Sequence, residues 1–137
     1  MGDARVKLYR VILPAGDLGR SVDYFSRVLQ TPGERVSDER HYFDCGGVIL
    51  ACVVPLSAEQ VHPNSDYLYF SVADLEATYS RAKEAAGEGL GAIAEGEMGD
   101  IAERPWGERS FYASDPFGNP VCFVDEGTLF TGGRFVP

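Results

Sequence analysis

An amphipathic helix pattern occurs twice in this chain at one fixed offset, and that repeat limits the folds open to it more than any other feature. Asp17-Leu18 opens a stretch with apolar side chains at Leu18, Val22, Phe25 and Leu29, and Asp74-Leu75 opens a second with Leu75, Tyr79, Ala82 and Ala86. Steps of four, three and four residues put each set on one face of a helix about three turns long. Each helix has an Asp where an N-cap belongs, able to accept from the first-turn amides, and a Gly past its end, Gly33 and Gly87.

A strand-like run precedes each helix, at 6–13 and 67–72, and three extended segments follow each. After the first helix they are 34–37, 41–44 and 48–54, with Gly46-Gly47 turning the last hairpin. After the second they are 92–97, 110–113 and 120–124, with Asp115-Pro116-Phe117-Gly118-Asn119 as the last turn. The order is βαβββ, written twice. It defines an α+β chain, one domain over 1–137, with module 1 at about 5–55, a linker at 56–66, module 2 at about 67–125 and a tail at 126–137. The segment 95–104 is the longest without a predicted element, a loop able to close over a cleft together with Trp106.

The chain has 137 residues, 45% of them apolar and 24% charged, enough for one core without disulfide staples. Acidic residues outnumber basic ones by 21 to 12, and the net charge of −9 repels nucleic-acid phosphates and anionic lipid. Nucleic acid and membrane are therefore not expected partners. No run approaches the roughly 18 apolar residues of a membrane span, and Met1-Gly2-Asp3-Ala4-Arg5 lacks the apolar stretch of a secretory signal, which points to the cytoplasm. Cys45, Cys52 and Cys122 are widely spaced, odd in number and expected as free thiols.

Strand alternation sorts 67–72 into Leu68, Phe70 and Val72 for the face under the helix, and Tyr67, Tyr69 and Ser71 for the other. The repeat offset matches Arg10 with Tyr67 and Ile12 with Tyr69. Leu8, Arg10 and Ile12 thus fall on the helix-free face, where a ligand cleft is expected.

The run Asp17-Leu18-Gly19-Arg20-Ser21-Val22-Asp23-Tyr24-Phe25, followed by Pro105-Trp106-Gly107-Glu108-Arg109-Ser110-Phe111-Tyr112 and Asp115-Pro116-Phe117-Gly118-Asn119-Pro120, resembles the vicinal oxygen chelate superfamily. That group contains glyoxalase I, extradiol dioxygenases, fosfomycin resistance enzymes and bleomycin-binding proteins. The resemblance covers nearly the whole chain. It implies two tandem βαβββ modules forming an incomplete eight-stranded barrel around a cleft, commonly within a homodimer. It also implies, for the metal-using members, His, Glu or Gln ligands on the first and last strand of each module. Those places fall on Arg10 and Tyr67, each seven residues before its Asp, on Cys122, and on Leu50 or Ala51. Neither Arg10 nor Tyr67 is a usual ligand, so no metal and no other cofactor are expected.

The residues expected at a ligand are Arg10, Ile12, Tyr67, Tyr69, Trp106 and Cys122, with no catalytic residue assigned. Arg10 either meets an oxygen of the ligand or forms an internal or exposed ion pair. Tyr67 and Tyr69 either wall a pocket or pack in the core with their hydroxyls at its rim. Trp106 is a lid or a plug anchoring its loop, with Glu108 and Arg109 in the same anchor. Cys122 reads as a buried small hydrophobe before it reads as a nucleophile. His41 and His62 are expected at the surface, and Asp115 and Asn119 as turn formers. The function expected is metal-independent binding of an organic small molecule, of the kind seen in bleomycin resistance. The rival is an enzyme, either a metal-independent lyase or isomerase with Tyr67 or Cys122 as proton carrier, or a metal enzyme of the glyoxalase or dioxygenase type whose site is completed by other donors, and a purely structural domain would fill the cleft with its own side chains.

Overall fold

Eleven strands and α-helices, with two short 3-10 helices at Gly96–Gly99 and Glu126–Thr128, lie within residues 6–57 and 61–130, which the computed structural model of the chain describes. The start of the expected module 1, part of the linker and most of the tail fall in 1–5, 58–60 and 131–137, outside the described residues. The first half runs β1 (Arg10–Pro14), α1 (Leu18–Leu29), β2 (Glu34–Ser37), β3 (Arg40–Asp44) and β4 (Ile49–Val53). The second runs β5 (Leu68–Val72), α2 (Leu75–Gly87), β6 (Ala92–Ile93), β7 (Ala102–Glu103), β8 (Arg109–Ser114) and β9 (Pro120–Asp125). This is an α+β fold with two sheets, ordered β1-β4-β3-β2 and β5-β9-β8-β6, with β7 also on β8. The sheets do not close into a barrel, and β1 and β5 each stand at the end of their own sheet. Among the described residues no helix is long and apolar enough to cross a membrane.

Both helices start as their sequences dictate. Asp17 accepts from the Arg20 amide at 3.3 Å and Asp74 from the Ala77 amide at 3.0 Å, satisfying first-turn donors. α1 ends at Leu29, about three turns long as the spacing predicts, and its cap is Gln30, which adopts the left-handed conformation at φ 59°. Gly33 serves the next link instead: at φ 63° a Cβ there would stand 2.7 Å from the Tyr42 carbonyl and 2.8 Å from His41 Nε2. The buried faces are also rotated from the expected ones. α1 buries Leu18, Ser21, Tyr24, Phe25 and Val28, and α2 buries Leu75, Thr78, Ala82 and Ala85, while Val22, Leu29, Tyr79 and Ala86 are half-buried. Each helix packs on its own sheet and on the other helix, so the buried stripe lies between two contacts. The helices are also tied by Arg81 Nε donating to the Val28 carbonyl (3.2 Å), Arg20 to the Gly89 carbonyl (2.8 Å) and Arg27 forking onto Glu88 (3.1 and 2.8 Å).

β1 begins at Arg10 rather than at residue 6, because its sole neighbour, β4, begins only after the Gly46-Gly47 turn, although the Tyr9 carbonyl still accepts from the Ile49 amide at 2.8 Å. β5 begins at Leu68, since Tyr67 lies across from Pro120, which has no N–H to give. The segment expected as a loop is tied down. Arg104 donates to the carbonyls of Met98, Asp100 and Ser110 (3.3, 2.9 and 2.7 Å), Gly99 is buried, and β7 pairs with β8. His41 is not at the surface: only 7% exposed, it has Nε2 at 2.9 Å from the Pro32 carbonyl and takes a weak bond from Arg35 Nε (3.4 Å) at Nδ1. That pairing suits the tautomer with its proton on Nε2.

Candidate functional site

Strand alternation sorts the faces of β5 as the sequence suggests. Leu68, Phe70 and Val72 pack against the main core under the helices, with Val11, Leu13, Leu50, Phe111 and Phe123. Tyr67 joins Tyr112, Cys122 and Val124 in a smaller cluster on the opposite face. There the rings of Tyr67 and Tyr112 meet edge to face at 4.8 Å, and those of Tyr67 and Tyr69 at 6.5 Å. The Tyr69 and Tyr112 hydroxyls are 3.3 Å apart, and burial, then that contact, raises the pKa of the Tyr112 phenol. Arg104 lies over the Tyr112 ring at 5.2 Å.

Cys122 is fully buried in this layer, and burial pushes its thiol up to about 11 in spite of bonds to Ser110 and Tyr112. The thiol is therefore favoured in its protonated form near neutral pH, which makes it a poor nucleophile and a poor proton carrier there. On the first sheet Arg10 is exposed with its guanidinium over the rings of Tyr9 (5.1 Å) and Tyr42 (5.4 Å), and Ile12 is 43% exposed. Trp106 is 47% exposed in the β7–β8 turn and donates to Glu108 at 3.0 Å. Glu108 also accepts from the Phe130 amide at 3.0 Å, and Arg109 pairs with Glu76 and Asp125. His62 is exposed.

A cavity of about 530 Å³ lies between the halves, and sequence periodicity alone did not locate it. One wall is the free edge of β5, which contributes every residue from Tyr67 to Val72 and so both of its faces. The other wall comes from Val11, Val48, Leu50, the end of α1 at Leu29, and the β3–β4 turn at Asp44, Cys45 and Gly46. The structure thus brings Tyr67 and Tyr69 to a cavity. Arg10, Ile12, Trp106 and Cys122 are not among its lining residues. Alternation along β5 was the signal for one wall; the opposite wall depends on how the halves pack.

Parallel pairing also settles the last-strand positions. Ile12 stands beside Ala51 as Tyr69 stands beside Cys122, so Ala51 is the counterpart of Cys122 while Leu50 belongs to the core. The places where the resemblance puts metal ligands thus hold a permanent cation, a methyl group, a phenol and a buried protonated thiol. This set does not fit a divalent ion, which needs three or four converging deprotonated donors. Among the described residues, no three His, Cys, Asp or Glu side chains form a group that could hold one.

The fold is similar to that of a glyoxalase/bleomycin resistance protein from Albidiferax ferrireducens, with a TM-score of 0.69 and 18% identity over 85% of this chain and 96% of that one. A glyoxalase-related enzyme from Fulvimarina pelagi is similar at a TM-score of 0.68 and 17% identity, over 87% of each chain. A glyoxalase I variant from Zea mays aligns at a TM-score of 0.69 and 19% identity, over 86% of this chain and 45% of that one. No curated protein matches the chain. The family model described as Glyoxalase/Bleomycin resistance protein/Dioxygenase superfamily matches residues 7–123. That match takes in both helices and nearly all of both sheets, and the chain belongs to the glyoxalase/bleomycin resistance protein/dioxygenase superfamily.

Proposed function

We propose that this chain binds an organic small molecule without a metal, by sequestration of the bleomycin-resistance kind, as a cytoplasmic homodimer. The cavity of about 530 Å³ between the halves carries the reading: it has the size and the largely apolar lining of a small-molecule site. Tyr67 and Tyr69 supply ring surface with hydroxyls at hand. Of the residues expected at the ligand, this reading keeps these two and assigns no direct contact to Arg10, Ile12, Trp106 or Cys122. The chemistry of the donor set supports the metal-free part. Turnover by a lyase or isomerase route needs a group able to exchange a proton near neutral pH, and Cys122, with its thiol at about 11, is a poor one.

The test is a pair of titrations on the full chain. Phenylbutanol, a neutral aromatic probe, is expected to bind by calorimetry and to be lost from a Val48→Trp variant that fills the cavity. Zn, Fe, Mn, Ni and Co, added singly to chelator-treated protein, are expected to leave no stoichiometric ion after desalting. Retention of one ion per chain, abolished by Cys122→Ser, would replace this reading with a metal enzyme. Failure of phenylbutanol to bind the native cavity would remove the binding site itself.

A further inference from the structure

The residues lining the cavity include one charged residue, Asp44. It is the last residue of β3, exposed, and next to the turn that closes the cavity wall. Its Oδ1 accepts from the Gly47 amide at 2.9 Å, and it makes no ion pair among the described residues. Arg10 stands on the same face in the same cross-strand row, separated by Ile49. Its guanidinium lies over the rings of Tyr9 and Tyr42 and forms no ion pair with Asp44 among the described residues. The rest of the lining is aliphatic, aromatic or uncharged polar, with ring faces from Tyr67, Tyr69 and Phe70.

An anionic ligand entering this space would meet a carboxylate of like sign in a chain of net charge −9. A cation would meet a carboxylate with a free oxygen, and aromatic faces that attract positive charge. We propose that the cavity selects an organic cation, an apolar and preferably aromatic body bearing one amine or ammonium group, with Asp44 as its counter-ion. The inference rests on the small-molecule reading above and adds the charge of the ligand. The turn does not itself require the charge, because an Asn at this position offers the same Oδ1 acceptor to Gly47.

The experiment compares phenylbutylamine, phenylbutanol and phenylbutyrate, three probes with one apolar body, by calorimetry on the native chain, Asp44→Asn and Asp44→Glu. The amine is expected to bind about ten-fold more tightly than the alcohol at low salt, the scale of a charge-assisted hydrogen bond, with the carboxylate weakest. Asp44→Asn is expected to bring the amine down to the alcohol, while Asp44→Glu keeps the preference. Raising the salt to about 0.5 M should shrink the amine's advantage, which a merely structural role for Asp44 would not do. Equal binding of amine and alcohol by the native chain, or an advantage that survives Asp44→Asn, overturns the charge assignment and leaves the cavity reading standing. If none of the three binds, both fall. Should Asp44→Asn fail to fold, the native probe comparison and its salt dependence still decide the matter.

Discussion

Asn119 has no exposed surface, and its amide links the two halves of the chain. Its Nδ2 donates to the Pro14 carbonyl (2.9 Å) and to Asp115 Oδ2 (2.8 Å), while its Oδ1 accepts from the Asn64 amide (2.9 Å). Asn119→Ala leaves three partners short in a buried setting, and a loss of about 3 kcal/mol, with a fall of roughly 10 °C in Tm, is expected. Asn64→Ala removes only an exposed donation to the Ile12 carbonyl and should cost under about 1 kcal/mol, so urea melts of the two variants separate the tie from its neighbour. Asp115, beside it, accepts three hydrogen bonds, yet burial outweighs them and raises its carboxyl above the ordinary value. The native state therefore keeps this proton at a pH where the unfolded chain has released it. The resulting stability is full below the ordinary aspartate pKa of about 4 and is lost as pH rises through the raised native value. Asp115→Asn has no such titration, so the substitution should cost more at about pH 4 than at pH 7; a cost that is flat or grows with pH contradicts the assignment. The turn role of this pair was legible in Asp115-Pro116-Phe117-Gly118-Asn119, but its reach to Pro14 was not, because it depends on how the halves meet. His41 was misplaced for a similar reason: its burial follows from the approach of Pro32 and Arg35, which strand alternation does not encode.

The elements show where local signals suffice. The Asp17 and Asp74 caps, the strand-helix order and the Gly46-Gly47 hairpin were all readable because each is decided by residues within one turn of chain. β7 was missed, since two residues paired only to β8 carry no periodicity. The end of α1 at Leu29 agrees with the three-turn spacing, but Gly33 is not its cap: it is needed for its close approach to β3, and the chain leaves the helix on a residue poorly suited to it. Gln30 holds φ 59°, a conformation that costs a side-chain-bearing residue roughly 1 kcal/mol, and its side chain recovers part of this by donating to the Arg27 carbonyl at 3.1 Å. Gln30→Gly is accordingly expected to stabilise the protein by about 0.5 kcal/mol, whereas Gln30→Val, branched at Cβ, should destabilise it by more than that. Chemical denaturation of both variants checks the sign; a Gly variant less stable than the native chain would mean that the side-chain bond outweighs the backbone strain. The candidate site divides on the same line. Tyr67 and Tyr69 follow from alternation along β5, while Asp44 and Val48, on the facing wall, belong to the other half and could be assembled with them only by the packing of the halves.

At the scale of the molecule, nothing in the strand pairing itself makes the two sheets melt together, yet their side chains form one core. Leu13, Phe25, Phe43 and Leu50 from the first half share a single buried cluster with Leu75, Phe111 and Phe123 from the second, joined through the α1–α2 contact. Loss of either half would expose the apolar surface of the other, so unfolding should be one cooperative transition. Phe43 tests this from one side. Fully buried, with its ring 6.1 Å from Phe25 and 5.0 Å from His41, it lies in the first sheet. Phe43→Ala should cost about 3–5 kcal/mol through lost burial and the cavity left behind. Trp106 reads from the other side, as the single tryptophan of the chain and a residue of the β7–β8 turn in the second half. Its fluorescence in urea should therefore move to lower denaturant by the same amount as the far-ultraviolet circular dichroism, which reports both helices. If the fluorescence transition of Phe43→Ala stays at the native midpoint while the dichroism splits into two steps, the halves fold independently. The cavity between them would then be a junction of two units that melt apart, and ligand bound there would stabilise their docking rather than the fold of either half.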